Sequence, residues 1–269
     1  MNVPELAKQL DRIVTYAVTR IPMFGRMYAE DVRITCLNDF KRLPVTNREV
    51  YASLGDVAQC VANPWEMVAP LAPWDKSRPR FPLAVLYSAQ DEAAFEERVQ
   101  FLLGQVGIPQ GDMVTILVGP QQIYTASDLA DILIYLGHPT HLLLCNMASV
   151  GQRLMDAAPV TLFLLNDFDT SSTAWPSSVR HVVSFDRQHV SCSTVGHCNV
   201  LHLDELPFIA VRSGDGPFRP TQGHFFFEQS DHGTLLITTL KLHLFPFIRY
   251  DTGFRGTVVG STFYTTQLR

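Results

Sequence analysis

The sequence predicts an α/β fold, and three patterns along its 269 residues carry that prediction. Between residues 113 and 185, apolar runs rich in branched residues alternate with segments of helical periodicity. Such alternation is typical of strand–helix–strand units in a parallel sheet covered on both faces. The last ~70 residues carry strands and turns without helical periodicity, which predicts an antiparallel sheet or a distorted barrel. Residues 1–61 predict a helical arm ahead of both.

The composition of the chain predicts a large core and an oligomer. Charged residues make up 17% of the sequence and hydrophobic residues 46%, whereas ordinary soluble domains carry roughly 25% charged residues. A chain this poor in charge often buries surface between subunits, although a large core alone would also explain the deficit. We therefore expect a homo-oligomer, most simply a two-fold dimer.

Charge and hydropathy exclude two classes of partner. The net charge is −5, so no basic surface for nucleic acid is expected. No apolar run approaches the ~18 residues of a membrane span, and the charged N-terminus is unlike a signal peptide. Five scattered cysteines indicate reduced thiols. The sequence therefore predicts a cytoplasmic protein with neither a nucleic-acid nor a membrane partner.

The helical arm begins with residues 4–19, whose apolar positions recur at helical spacing. Ile21-Pro22 ends this helix, because proline cannot continue the hydrogen-bond ladder. A further segment extends to Phe40. Thr46 and Glu49 then form the pattern of a capping box, which predicts another helix.

The central part begins with an irregular, proline-rich connection over residues 62–82. Residues 93–106 predict a helix that ends at Gly107, and Met113–Val118 predicts a buried strand. The elements predicted after it are a helix at 126–137, a strand at 140–145, a helix at 149–158, and strands at 160–165 and 179–185. We divide the chain into an arm at 1–61, an α/β core at 62–217 and a β-rich segment at 218–269, all packed as one unit.

The strongest motif lies near the C-terminus. A β-branched strand, Gly233–Leu240, leads into Pro246-Phe247-Ile248-Arg249-Tyr250-Asp251-Thr252-Gly253, which has the form P-x-I-R-Y-x-T-G. This arrangement resembles the adenylate-forming acyl-ligase superfamily, and most of all its phenylacetate–CoA ligase and acyl-protein synthetase branch. The arm is similar to that branch too, with I-P-x-F at Ile21–Phe24 and L-P-x-T-x-x-E at Leu43–Glu49.

The resemblance implies the fold of the ligases' large domain and a ligand site around the C-terminal motif. The candidate ligand-binding residues are Arg249, Tyr250, Asp251, Thr252, Gly253 and Arg255. In the family, an aspartate after T-G accepts hydrogen bonds from both ribose hydroxyls. Phe254 occupies that position here and accepts none. The two arginines suit an anionic ligand, or are structural ion-pair partners.

Two further contacts of the family's ATP site are missing from the sequence. Tyr87-Ser88-Ala89-Gln90-Asp91 fits the end of the phosphate-loop motif, but Trp74–Pro82 before it contains no glycine. Its cations Lys76, Arg78 and Arg80 bind an anion by charge, or form a solvated basic loop. Where the family has a magnesium-binding glutamate, this chain has Asp186. Two interpretations of Asp186 stay open: an oxygen ligand that substitutes for the glutamate, or a turn residue.

The family's small C-terminal lobe carries a catalytic lysine. The sequence printed here stops at Arg269, soon after the T-G motif, so the resemblance predicts a ligase-like large domain without that lobe.

A Cys/His segment leaves three interpretations open. Cys192, His197, Cys198 and His202 supply thiolates and imidazoles that could complete a tetrahedral zinc site. One of the two cysteines could instead be a nucleophile activated by a nearby histidine, or both could be buried, small apolar residues. We expect no cofactor, with zinc as the alternative.

Two functional hypotheses follow from the resemblance and from the missing contacts. The first is a degenerate relative that has lost the ATP site and kept a scaffold for acyl or aryl groups. It would act as a binding or partner protein, or on an acyl group that is already activated, free or carrier-bound. The alternative is an active ATP-dependent carboxylate ligase with a rebuilt nucleotide site or a separate C-terminal lobe. ATP would be a cofactor in this alternative alone.

Overall fold

A computed structural model describes residues 3–53, 59–63, 69–70, 86–119, 123–144, 159–165, 176–185, 196–203 and 206–267. The arm contains four helices: α1 (Val3–Arg20), α2 (Pro22–Met27), α3 (Leu37–Lys41) and α4 (Arg48–Ser53). α1 buries Ala7, Leu10, Val14 and Ala17, the face that its periodicity predicts. Pro22 ends α1 and also begins α2, because the first position of a helix needs no amide donor.

The predicted capping box of α4 is wrong by one residue. Asn47 accepts a hydrogen bond from the amide of Val50 at 2.9 Å, so Asn47 caps this helix. The hydroxyl of Thr46 instead donates to the carbonyl of Ile248 at 2.8 Å. A long-range contact has therefore taken the side chain that the local pattern assigned to the cap.

A long central helix, α5 (Ala89–Val106), begins earlier than its predicted start near residue 93. Ser88 and Asp91 form a reciprocal capping box at its N-terminus. Gly107 ends the helix in the left-handed conformation, with φ of 77°, which a residue without a Cβ adopts at little cost. The sequence thus sets both ends of this helix.

A seven-stranded mixed sheet forms the α/β core. Its elements are β3 (Val114–Val118), α6 (Ile123–Tyr135), β4 (Thr140–Leu144), β5 (Thr161–Leu164), β6 (His181–Phe185), β7 (Gly196–Leu203), β8 (Leu206–Ser213) and β9 (Arg219–Pro220). The strand order is β4-β3-β5-β6-β7-β8-β9. The first five strands in this order are parallel to one another. β8 pairs antiparallel with β7, and β9 pairs antiparallel with β8. The predicted parallel sheet with a strand–helix–strand unit is confirmed.

A second, antiparallel sheet follows as a half-barrel. It contains β10 (Phe225–Gln229), β11 (Thr234–Thr239), β12 (Tyr250–Val259) and β13 (Thr262–Gln267) in sequential order. At Gly256 a Cβ would lie 2.5 Å from the carbonyl oxygen of Tyr264, so this crossing of β12 and β13 requires glycine. A small antiparallel pair, β1 (Ala69–Pro70) and β2 (Leu86–Tyr87), precedes α5. The predicted α/β architecture with an antiparallel, barrel-like C-terminal part is confirmed.

Two apolar cores hold these layers together. One combines the arm with the four-stranded sheet and includes Leu10, Phe24, Phe40, Ile237 and Phe263. The other packs α5 and α6 against the seven-stranded sheet. Among the described helices, none is long and apolar enough to cross a membrane. The predicted helix at 149–158 lies outside the described residues.

Candidate ligand site at the R-Y-D-T-G segment

The aromatic stretch before the R-Y-D-T-G segment is a buried hub. Phe245, Phe247 and Tyr250 are at most 2% exposed. All three pack against the ring of Tyr51 in the arm, with centroid distances of 5.4, 5.4 and 5.9 Å. Interactions among clustered aromatic rings add to the burial of their area. The hub therefore fixes where the loop between β11 and β12 enters β12.

Thr46 of the arm joins this loop through its backbone and its side chain. Its amide donates to the carbonyl of Arg249 at 3.0 Å, and its carbonyl accepts from the amide of Asp251 at 2.8 Å. Thr46 and Tyr250 thus form an isolated parallel bridge. The L-P-x-T and R-Y-x-T-G motifs are separate in the sequence, and in the structure they are hydrogen-bonded to each other.

Asp91 ties the start of α5 to the same loop. Its carboxylate accepts hydrogen bonds from the backbone amides of His243 at 2.7 Å and Leu244 at 3.2 Å. It also accepts one from the amide of Ser88 at 3.0 Å. The side chain is fully buried. The aspartate that ends the phosphate-loop-like motif therefore organises the backbone next to the candidate site.

Arg249 is held by contacts inside the protein. Its backbone is left-handed, with φ of 47°, and its amide donates to the hydroxyl of Thr238 at 2.9 Å. Its Nε pairs with Glu228 Oε2 at 3.2 Å, and its Nη1 donates to the carbonyls of Lys41 and Leu43. Burial raises the pKa of Glu228, and the Arg249 guanidinium acts against that rise. The guanidinium joins the arm to the four-stranded sheet.

Residues 251–253 lie in β12, where its pairing with β11 shifts register, as in a β-bulge. Asp251 accepts from the hydroxyl of Thr234 at 3.0 Å and from the amide of Gly253 at 2.9 Å. Thr252 donates from its hydroxyl to the carbonyl of Leu235 at 2.9 Å and accepts from the amide of Phe254 at 3.2 Å. Gly253 has φ of 73°, which glycine adopts readily. Asp251 and Thr252 are thus half-buried residues of this irregular part of β12, and they border solvent.

Phe254 and Arg255 point to opposite sides of β12. Phe254 is 7% exposed and belongs to the core shared by the arm and the four-stranded sheet. Arg255 is exposed on the other side, as the alternation of a strand requires. Of the two arginines predicted to meet an anionic ligand, Arg255 is therefore the one that faces solvent.

Sequence reasoning missed a polar cluster between α5 and the start of β10, buried at Arg98 and His224 and exposed at Glu97 and Lys241. Arg98 donates from Nε to His224 Nδ1 at 3.2 Å, and His224 Nε2 lies 2.8 Å from Glu97 Oε2. Lys241 pairs with the same carboxylate oxygen. Burial, followed by the nearby charge of Arg98, lowers the pKa of His224 to about 4. The available signal was an arginine on the apolar face of a predicted helix, three residues after Phe95.

The Cys/His segment is divided between two faces of β7. His197 Nε2 lies 3.0 Å from the hydroxyl of Ser184, whereas the next residue, Cys198, contacts the hydroxyl of Ser213 at 3.3 Å. Burial raises the pKa of the Cys198 thiol, which favours its protonated form. His202 packs between the rings of Phe185 and Phe208, with centroids 6.0 and 5.7 Å away.

Within the described residues, no group of three or more His, Cys, Asp or Glu side chains is arranged to hold a metal ion. Cys192, Asp186 and the basic stretch at 74–82 lie outside these residues. The zinc and nucleophile hypotheses therefore stay predictions, as does an anion-binding role for Lys76, Arg78 and Arg80.

Comparison with known proteins finds similarity in structure alone. No protein-family model matches the chain, and no curated protein matches its sequence. Among solved structures, 2-hydroxyisobutyryl-CoA ligase in complex with 2-HIB-AMP and CoA superimposes with a TM-score of 0.74 at 14% identity, over 97% of this chain and 72% of that one. The same ligase with R3-HIB-AMP gives a TM-score of 0.75 at 14% identity, over 97% and 66%.

A second type of enzyme shares part of the architecture. The amide bond synthetase McbA from Marinactinospora thermotolerans gives a TM-score of 0.51 at 15% identity, over 70% of this chain and 47% of that one. The chain spans 66–72% of the length of the two CoA-ligase structures. These likenesses show the fold of the large domain of an adenylate-forming ligase, as the sequence motifs predict.

Proposed function

We propose that this chain is a degenerate relative of the adenylate-forming ligases that does not activate acids with ATP and has kept a scaffold for an acyl or aryl group. It acts as a binding or partner protein, or on an acyl group that is already activated, free or carrier-bound. The observation that carries the proposal is Phe254, which follows Thr252-Gly253 in the sequence where the resembling family has its ribose-binding aspartate, and whose ring is buried.

The chemistry of Phe254 argues against nucleotide binding in the family's manner. A carboxylate offers two oxygens to a pair of hydroxyls, whereas a phenyl ring offers no hydrogen-bond acceptor. Phe254 also belongs to the apolar core. Restoring an aspartate at this position would therefore remove packing and place a polar group in the core. A ribose bound here would need other acceptors. The carboxylate oxygens of nearby Asp251 each accept one internal hydrogen bond, from Thr234 and from Gly253, which leaves them part of their acceptor capacity.

The rest of the expected nucleotide site supports the same proposal. The sequence from Trp74 to Pro82 has no glycine and two prolines, and prolines donate no amide to a phosphate. Arg249, a candidate for anion binding, is committed to Glu228 and to two carbonyls of the arm. Exposed Arg255, two residues after Gly253 on β12, is the cation that we propose faces an anionic group of the ligand.

Acid-dependent pyrophosphate exchange tests the loss of adenylation. The protein is assayed with ATP and magnesium over a broad panel of aryl and fatty acids, beside an active adenylating ligase as positive control. We expect exchange no higher than in a no-protein blank. Titration calorimetry with ATP and magnesium, alone and with each acid, should show no saturable heat. Exchange well above the blank would overturn the proposal.

Binding of the acyl group is tested separately, by thermal unfolding with acids and with their CoA thioesters. A ligand present at 100 times its Kd stabilises the folded state by about 2.7 kcal/mol, which raises the unfolding midpoint by several degrees. We expect one class of acid or thioester to give this shift. Arg255→Ala should weaken the effect of anionic ligands. No shift with any compound would remove the proposed scaffold role.

The second candidate is an active ATP-dependent carboxylate ligase with a rebuilt nucleotide site or a separate lobe. It is favoured by the likeness to 2-hydroxyisobutyryl-CoA ligase, whose solved structure is a complex with 2-HIB-AMP and CoA. The exchange assay separates the two candidates, because the second requires acid-dependent exchange.

We further propose that the protein is a cytoplasmic homodimer, as its composition predicts.

A further inference from the structure

Arg98 is a buried cation with an unused donor. It lies on α5 with 1% of its side chain exposed. Nε donates to His224 Nδ1 at 3.2 Å, and Nη1 makes a long contact of 3.4 Å to the carbonyl of Pro207. In the described part of the chain, Nη2 is fully buried and has no hydrogen-bond partner. A buried donor left unsatisfied costs about 1–3 kcal/mol, and more when the group is charged.

The positive charge of Arg98 is incompletely compensated. Within the described residues, no carboxylate forms an ion pair with its guanidinium: Glu97 bonds to the far nitrogen of His224, and Asp91 to backbone amides. His224 is neutral in this arrangement, because its Nδ1 accepts the hydrogen bond from Arg98. The rings of Phe95 and Phe225, 4.9 and 4.4 Å from the guanidinium carbon, offer weaker cation–π contacts.

Arg98 also lines a small cavity between α5 and the seven-stranded sheet. The cavity measures about 10 Å³, which is close to the space that one water-sized group needs. Its described walls are apolar at Phe101, Val200, Phe208 and Val211, and Thr221 is the second polar residue of the lining. The space is too small for a nucleotide or an acyl chain, and it suits a single small ion or one water.

We propose that this cavity is a binding site for a halide-sized monovalent anion, chloride above all, held against the Arg98 guanidinium. An anion would accept a hydrogen bond from the unused N–H of Arg98, and its negative charge would compensate the charge of the guanidinium. A water molecule supplies the acceptor alone. The Arg98 guanidinium makes a charge-assisted hydrogen bond to either occupant. The anion adds a Coulomb attraction between opposite charges, which is strong in a buried site, so the anion is preferred. This site is independent of the proposed acyl-binding function.

Anion-dependent stability is the test. Unfolding midpoints of the wild-type protein, Arg98→Met and Arg219→Met are compared in sodium chloride and in sodium gluconate at one fixed ionic strength. Arg219 is the matched control, because it is an exposed arginine on β9. For chloride at ten times its Kd, we expect a midpoint about 4 °C higher than in gluconate for wild type and Arg219→Met. We expect no such difference for Arg98→Met. An equal chloride effect in all three proteins, or none in wild type, overturns the proposal.

A second measurement decides if Arg98→Met does not fold. Crystals of the wild-type protein grown in sodium bromide should give an anomalous peak within hydrogen-bonding distance of the Arg98 guanidinium. An ordered water at that place, without anomalous signal, refutes the anion site.

Discussion

Replacing Arg249 by methionine tests whether this residue of the R-Y-D-T-G segment is structural. Methionine keeps much of the volume and removes the charge. It leaves Glu228 buried without its partner, and the carbonyls of Lys41 and Leu43 without their donor. Removing one partner of a buried ion pair costs about 3–5 kcal/mol. We therefore expect a loss of about 4 kcal/mol in the free energy of unfolding, measured by urea denaturation.

The backbone of Arg249 does not confound this experiment. Its φ of 47° is unfavourable for arginine and methionine alike, so the substitution leaves the backbone strain nearly unchanged. Arg255→Met, on the exposed side of the same strand, is the matched control and should stay within about 0.5 kcal/mol of wild type. Adding Glu228→Gln to Arg249→Met should recover about half of the loss, because the uncompensated charge is gone.

The pH dependence of the loss gives an independent check. Burial holds the folded-state pKa of Glu228 above its ordinary value of 4.5. Ionisation of this carboxyl therefore opposes folding at pH values above 4.5, and the penalty disappears as the pH falls toward that value. In Arg249→Met the compensating guanidinium is absent, so the penalty near pH 8 is larger. The deficit relative to wild type should shrink between pH 8 and pH 5. A deficit below about 1 kcal/mol at pH 8, or one that does not change with pH, would refute the structural role.

Four further predictions follow from the described contacts and from the sequence. Asp91→Ala should lower the free energy of unfolding by about 3 kcal/mol, because three backbone amides lose their acceptor; an exposed control, Glu92→Ala, should change it little. His224 should remain neutral in NMR titrations until about pH 4. Since its unfolded-state pKa is higher, at 6.5, stability should fall as the pH drops through that window. Protein purified without a histidine tag should carry less than about a tenth of an equivalent of zinc, and chelation should not change its melting temperature. Light scattering at micromolar concentrations should give a dimer mass, and a monomer mass across a hundredfold dilution would exclude the homodimer.

Local chemistry was enough to predict most of the secondary structure. α1 follows from apolar residues at helical spacing, the end of α5 follows from Gly107, and β3 follows from the largely apolar run Met113–Val118. The change from alternating helices and strands to strands alone predicted the antiparallel strands of the last ~70 residues, although β8 and β9 join the seven-stranded sheet and the second sheet begins only at β10. These features depend on residues that are near one another in sequence, so the sequence displays them directly.

The candidate site was predicted less completely. The motifs located the R-Y-D-T-G segment and identified Phe254 as the departure from the family. They left open whether Arg249 binds a ligand or an internal partner, because Glu228 is 21 positions away and Lys41 is 208 positions away. They also assigned Thr46 to a helix cap, although its hydroxyl bonds to Ile248, 202 positions away.

The sequence by itself therefore determined the fold class, the order of the elements and the chemical type of each motif residue. Only the tertiary structure decided which polar groups face one another. It brought Thr46 to Tyr250, Asp91 to His243 and Arg98 to His224, pairings that no local pattern encodes. The physical reason is that a buried polar group must find a partner wherever the packing of apolar faces places one. Which residue that is depends on the closure of the whole chain.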